Sequence, residues 1–160
     1  MKELNLKVCD ILGMEAIGYV LSEYLPTNSV VVLTGTLGAG KTRLVKEVAK
    51  CLGVRGSIVT SPTFVLLHEY DEGKREIYHF DVYRLSTETE FRQLDPDDYF
   101  EREGITFIEW GEKFPNMLPK ERLDIQIDII EDNDRNYNFK AYGDKFKRVM
   151  RSLKKLDQSR

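Results

Sequence analysis

VVVLTGTLGAGKTRLVKEVAKCLG, residues 30–53, contains three elements in succession. Val30 to Leu33 is an unbroken aliphatic run of the kind found in a strand covered on both faces. Gly35 to Thr42, GTLGAGKT, fits the pattern G-x-x-x-x-G-K-[ST]. Beyond it, Leu44, Val45, Val48, Ala49 and Leu52 share one helical face, and Gly53 supplies a C-terminal stop. In a strand, glycine loop and helix placed in this order, backbone N–H groups and a helix N-terminus converge on an anion. The expected nucleotide-binding residues are therefore Gly35, Thr36, Leu37, Gly38, Ala39, Gly40, Lys41, Thr42 and Arg43. Lys41 is expected to reach the β and γ phosphates of ATP, and the Thr42 hydroxyl to coordinate magnesium.

Working outward, LNLKV near the N-terminus alternates as an edge or half-buried strand does, and MEAIGYVLSEYL has the spacing of a helix ended by Pro26 and Asn28. TFVLLHEY and REIYHFDVYR are β-rich and separated by Asp71, Glu72 and Gly73, which predicts a hairpin. FRQLDPDDYF predicts a short helix and loop. ITFIEW reads as a short buried strand, whereas RLDIQIDII alternates so that one face is wet. KFKRVMRSLKKL predicts an amphipathic helix over about 144–156 with a basic back.

Phosphoryl chemistry needs a second carboxylate near the loop to hold magnesium or position the attacking water. Glu109 ends the apolar run Ile105 to Ile108, so its carboxylate is expected at the strand's C-terminal end, where ligands bind in α/β sheets. Asp81 shares a strand face with Ile77, His79 and Tyr83, and two readings stay open for it: an acid of the site, or a solvated residue on a polar face. His68 and His79 are the only histidines, and no Cys or carboxylate cluster gives them metal-ligand spacing, which argues against a zinc enzyme. Trp110 reads equally as a core aromatic or as a ring over the nucleotide.

With 160 residues and 41% hydrophobic content, the chain predicts one domain over residues 1–160. No run approaches the ~20 apolar residues of a membrane span, and the charged N-terminal MKELNLKVCD does not read as a signal peptide, so a cytoplasmic location is expected. Cys9 and Cys51 lack CxxC spacing and are expected to be buried small hydrophobes. The net charge of −3 conceals an asymmetry: from Lys140 onward there are eight Lys or Arg against Asp144 and Asp157. A solvated helix face accounts for this basic tail, and contact with nucleic acid or an acidic partner is the alternative.

The order GTLGAGKT, SPTF (Ser61 to Phe64), HFDVYR (His79 to Arg84) and IEWGE (Ile108 to Glu112) closely resembles the TsaE family, also called YjeE. The SPTF and HFDVYR motifs discriminate far better than the phosphate loop, which many ATPases and kinases share. The resemblance implies a three-layer α/β P-loop NTPase fold with a mixed, partly antiparallel central sheet, consistent with the hairpin and the alternating strand. It also implies an ATPase that serves tRNA threonylcarbamoyladenosine synthesis, resetting the TsaD–TsaB complex between cycles. Carried over, Lys41 and Thr42 bind phosphate and magnesium, Glu109 helps hold magnesium, and Asp81 is an essential acid near the γ-phosphate. Ser61 to Phe64 resembles the family's γ-phosphate-sensing switch. One departure is visible: Thr36 stands where family members commonly carry Asp.

Two other classes compete. A small-molecule kinase would need an arginine-rich lid over its acceptor, and no segment reads as one. A GTPase switch would commonly carry an Asn or Thr, Lys, any residue, Asp segment, and the sequence has none.

Overall fold

The computed structural model describes residues 1–158. The order of elements is β1 (Lys2–Val8), α1 (Ile11–Tyr24), β2 (Ser29–Thr34), α2 (Lys41–Cys51), β3 (Leu67–Tyr70), β4 (Ile77–Asp81), α3 (Glu88–Arg92), α4 (Pro96–Glu101), β5 (Ile105–Glu109), β6 (Arg122–Glu131), β7 (Asp134–Tyr142) and α5 (Lys147–Gln158). All seven strands join one sheet in the order β1-β7-β6-β2-β5-β4-β3. The inner strands β6, β2, β5 and β4 run parallel, and the outer pairings β3–β4, β6–β7 and β1–β7 are antiparallel. This is the mixed α/β sheet expected.

Strand composition follows position. β2, β4 and β5 are covered on both faces and buried along nearly their whole length, which explains their continuous apolar runs. On one face Val31, Leu33, Ile77, Phe107, Ile125 and Phe139 pack with α1, α2 and α5. On the other, Val30, Phe80 and Ile108 meet Phe91 of α3, Phe100 of α4, Phe114 and Met117. The layers are therefore helix, sheet, helix. Among the described residues no second helical layer covers β6, β7 and β1, and polar residues such as Asn5, Gln126 and Asn138 face outward, with Asn138 Nδ2 donating to Asn5 and Glu3. That uncovered region produces the alternation of RLDIQIDII.

Several local expectations change. Thr63 to Leu66 form a turn rather than the start of β3, because Leu66 takes a left-handed φ of 70° and Phe64 and Val65 are exposed. FRQLDPDDYF folds as parts of two helices, the first capped by Thr87 and Glu90 in a reciprocal capping box, the second opened by Pro96 at its N-terminus. β7 is not among the expected strands, although Tyr137, Phe139 and Ala141 alternate with Asn136, Asn138 and Lys140. Cys9 is exposed, in the turn just before the α1 N-cap Asp10, and Cys51 is half-buried at the end of α2, so neither is the buried hydrophobe expected. Among the described residues, no helix is long and apolar enough to cross a membrane.

Candidate functional site

The site lies at the C-terminal ends of β2, β4 and β5. Gly35 to Gly40 carry the chain from β2 to α2, with left-handed or otherwise positive φ at Gly35 (142°), Gly38 (79°) and Gly40 (112°). At Gly35 a Cβ would stand 2.4 Å from the Ile127 carbonyl oxygen of the neighbouring strand, so glycine is required there by space as well as by conformation. The Lys41 ammonium, at the first position of α2, donates to the Gly35 and Thr36 carbonyls at 2.6 and 3.0 Å. It also sits 4.1 Å from the centre of the Trp110 ring. Burial holds this ammonium below its ordinary 10.5, against the opposite pull of Glu109, Glu112 and Asp81.

Register brings the acids to the loop. Leu33 pairs with Glu109 across β2–β5, and Asp81 pairs with Glu109 across β4–β5. Both carboxylates point to the α2 side of the sheet and are nearly fully buried. Asp81, at 1% exposure, is not the solvated residue that one reading of the sequence allows. Glu109 Oε1 accepts the Thr42 hydroxyl at 2.6 Å and lies 2.8 Å from His79 Nε2. Asp81 Oδ2 accepts the hydroxyls of Ser61 and Thr63 at 2.9 and 2.7 Å, and Oδ1 accepts the Tyr83 N–H at 2.9 Å. The SPTF and HFDVYR segments are thus joined at one carboxylate.

Trp110 follows Glu109 with a left-handed φ of 65°, its N–H bonded to the Leu33 carbonyl at 3.1 Å. Its ring packs against the core cluster of Phe80 and Phe114, stands 4.9 Å from that of Tyr83 and lies beside the loop lysine, so it borders both the core and the site. Arg84 stacks over exposed Phe64 at 4.0 Å. Lys113 donates to the carbonyls of Val82, Tyr83 and Leu85, holding the chain beyond Asp81.

Two residues escape sequence reasoning. Arg135 reaches from β7 to the loop, its Nε donating to the Ala39 carbonyl at 3.1 Å while Nη1 bonds the carbonyls of Glu131, Asp132 and Asp134. His79 is visible as a residue type, but its partner lies 30 positions away and is supplied by strand register. A groove of about 430 Å³ flanks the loop, lined by Cys9, Asp10, Met14, Gly38, Arg43 and Arg135, among others. Arg43 therefore faces this groove, one residue past the loop threonine.

The donor chemistry fits a hard, oxygen-seeking cation. Thr42 Oγ1 and Glu109 Oε1 are adjacent oxygens, and among the described residues no group of three His, Cys, Asp or Glu could cage a metal unaided. Magnesium characteristically takes one or two protein oxygens and completes its shell with phosphates and water.

The model of the family described as threonylcarbamoyl adenosine biosynthesis protein TsaE matches residues 10–137. The chain is 36% identical over 157 residues to the tRNA threonylcarbamoyladenosine biosynthesis protein TsaE of Bacillus subtilis, covering 98% of each. It is 43% identical over 112 residues to the protein of the same name from a Synechocystis strain, covering 68% of this chain and 70% of that protein. Among solved structures it is similar to Bacillus subtilis YdiB, with a TM-score of 0.81 at 31% identity, over 98% of this chain and 97% of the other.

Proposed function

The chain belongs to the TsaE family, and from that membership we propose that it serves tRNA threonylcarbamoyladenosine biosynthesis as a magnesium-dependent ATPase acting on a complex of TsaD and TsaB. In this reading it works in the cytoplasm as one P-loop domain and resets its partners between catalytic cycles. The observation that carries the reading is the hydrogen bond joining Thr42 to Glu109 beside Lys41, at the mouth of a glycine loop.

The backbone N–H groups from Gly38 to Thr42 and the N-terminus of α2 hold the phosphates. Lys41 leaves the loop carbonyls for the β and γ phosphates, and its weakened hold on the proton is restored by the phosphate charge. Magnesium supplies charge neutralisation of the γ-phosphate oxygens. Thr42 and Glu109 would hold it, and the groove beside Arg43 offers room for the nucleoside. In this reading Glu109 serves the cation, and Asp81, the second buried acid at the strand ends, orients the attacking water. Water attack at the γ-phosphorus breaks the bond to the β–γ bridging oxygen and yields ADP and phosphate.

The Ser61 and Thr63 hydroxyls share Asp81 Oδ2, so a change at Asp81 on hydrolysis is transmitted to the exposed SPTF turn. Phe64, Val65 and Leu37 are exposed around that turn and the loop, on the side a partner would read. The test is ATP hydrolysis by the purified chain, alone and with TsaD and TsaB, with Lys41→Ala as control. Partner-stimulated turnover that vanishes in Lys41→Ala is expected, and nucleotide binding with neither stimulation nor complex formation sinks the proposal.

A further inference from the structure

His79 stands in the middle of β4, fully buried, and takes no part in the reaction described above. On its strand face the neighbours are Ile77 and Asp81, and its partner across β4–β5 is Phe107. An aliphatic side chain would suit this setting, yet the position holds an imidazole whose Nδ1 has no hydrogen-bond partner among the described residues. Burying an unsatisfied ring nitrogen costs stability. What the fold gains in exchange is the other nitrogen: Nε2 lies 2.8 Å from Glu109 Oε1. An ionised carboxylate only accepts, so the shared proton sits on Nε2.

Glu109 Oε1 is also the oxygen that accepts Thr42 Oγ1. The glutamate side chain has three rotatable bonds and stands at the end of its strand, so one bond to the Thr42 hydroxyl does not by itself fix the carboxylate plane. The imidazole approaches diagonally from the adjacent strand and supplies a second anchor. The ring is itself flanked at one side by Tyr70, 6.3 Å away between centres. Carboxylates that ligate metals are commonly fixed by such outer hydrogen bonds, and removing them weakens metal binding.

We infer that His79 is a positioning residue for the cation site: it sets the Glu109 carboxylate plane so that Thr42 and Glu109 present their oxygens together to a divalent ion bound with the nucleotide. The inference rests on the proposed roles of Thr42 and Glu109. It predicts an effect on metal affinity that is separable from nucleotide affinity and from folding.

Three variants of the full chain test it. In His79→Leu the bond to Glu109 is lost while the volume is roughly kept. His79→Gln retains a donor, because its amide nitrogen reaches the place of Nε2, whereas the shorter amide of His79→Asn does not reach Glu109. Manganese is titrated in the presence of ADP and free ion followed by electron paramagnetic resonance. ADP affinity without metal and thermal melting are recorded alongside. His79→Leu and His79→Asn are expected to weaken manganese binding about 10- to 100-fold with metal-free ADP affinity changed less than about threefold, and His79→Gln to stay within about threefold of the parent. Parental manganese affinity in His79→Leu or His79→Asn overturns the inference, as does equal loss with and without metal. If His79→Leu does not fold, the His79→Gln and His79→Asn pair decides alone. A parent chain that binds no manganese with ADP contradicts the proposed function itself, a result distinct from indifference to position 79.

Discussion

Asp81 and Glu109 are direct partners across the parallel β4–β5 ladder, the last residue of each strand, with both carboxylates on the same side of the sheet. Neighbouring strands lie about 4.8 Å apart, so two acids are forced together in a buried setting. Their hydrogen bonds are divided: Glu109 to Thr42 and His79, Asp81 to Ser61, Thr63 and the Tyr83 N–H. This division predicts different defects. Asp81→Asn should retain magnesium-dependent ADP binding within severalfold and lose turnover by about 100-fold or more. Glu109→Gln should lose both turnover and the magnesium dependence of binding. Calorimetric titrations with and without magnesium, beside single-turnover hydrolysis, check this; matching profiles for the two variants would remove the division of labour.

The double variant Ser61→Ala with Thr63→Val removes both hydroxyls from Asp81 Oδ2. Hydrogen bonds to a charged acceptor contribute roughly 1.5–3 kcal/mol each, so the 61–66 turn should open more often. Amide exchange across residues 61–66 should accelerate by at least about tenfold while β5 is unchanged. Unaltered exchange there would mean that the turn is held by other contacts.

Trp110 is the chain's one tryptophan, with the Lys41 ammonium 4.1 Å from its ring centre. Moving that cation toward phosphate changes the field on the indole. Adding ADP should therefore shift the intrinsic emission, with a midpoint equal to the calorimetric dissociation constant. In Lys41→Ala the starting spectrum should already differ from the parent's and respond little to nucleotide.

Gly35→Ala places a methyl 2.4 Å from the Ile127 oxygen at a φ of 142°. The obstacle is backbone of the adjacent strand, so it cannot swing aside. A stability loss of about 2 kcal/mol or more is expected by chemical denaturation, together with loss of nucleotide binding. By contrast Gly38→Ala meets no atom of the described residues within 4 Å and, strained only by its φ of 79°, should cost less.

Arg135→Ala cuts the link between the β6–β7 hairpin and the Ala39 carbonyl. A loss of ADP affinity of about tenfold, or about 1.4 kcal/mol, is expected from a less rigid loop. Lysine at this position should not restore it, because the contact uses Nε and Nη1 of one guanidinium at once. Full recovery in Arg135→Lys would show that charge alone matters.

The parts of the molecule legible in the sequence are those whose signal is local. β2, the loop and α2 are contiguous, and the acid that ends β5 is marked by the apolar run before it. What depends on register is silent. His79 and Glu109 are brought together by the β4–β5 pairing, and nothing near His79 in sequence marks its partner. TFVLL has strand composition, yet Thr63 to Leu66 turn because Asp81 holds Thr63 and the Leu66 carbonyl accepts the Asp81 N–H, a tertiary bond overriding propensity. β7 does carry a local signal, since Tyr137, Phe139 and Ala141 alternate with Asn136, Asn138 and Lys140 as the residues of RLDIQIDII do, but the reach of Arg135 to the Ala39 carbonyl depends on tertiary packing and has no mark in the sequence.

The central place of β2 has a consequence for biosynthesis of the chain. Val31 pairs with Phe107 on one side and Leu123 on the other, both far downstream. Until the ribosome has passed both of these positions, the phosphate loop lacks at least one of its two flanking strands, and the Gly35–Ile127 packing cannot exist. At a translation rate of about 5–20 residues per second, several seconds separate synthesis of the glycine loop from synthesis of its second flank. The nascent protein must spend much of that interval with β2, an almost wholly apolar strand, unpaired at both edges, so an affinity for nucleotide can appear only when the chain is nearly finished.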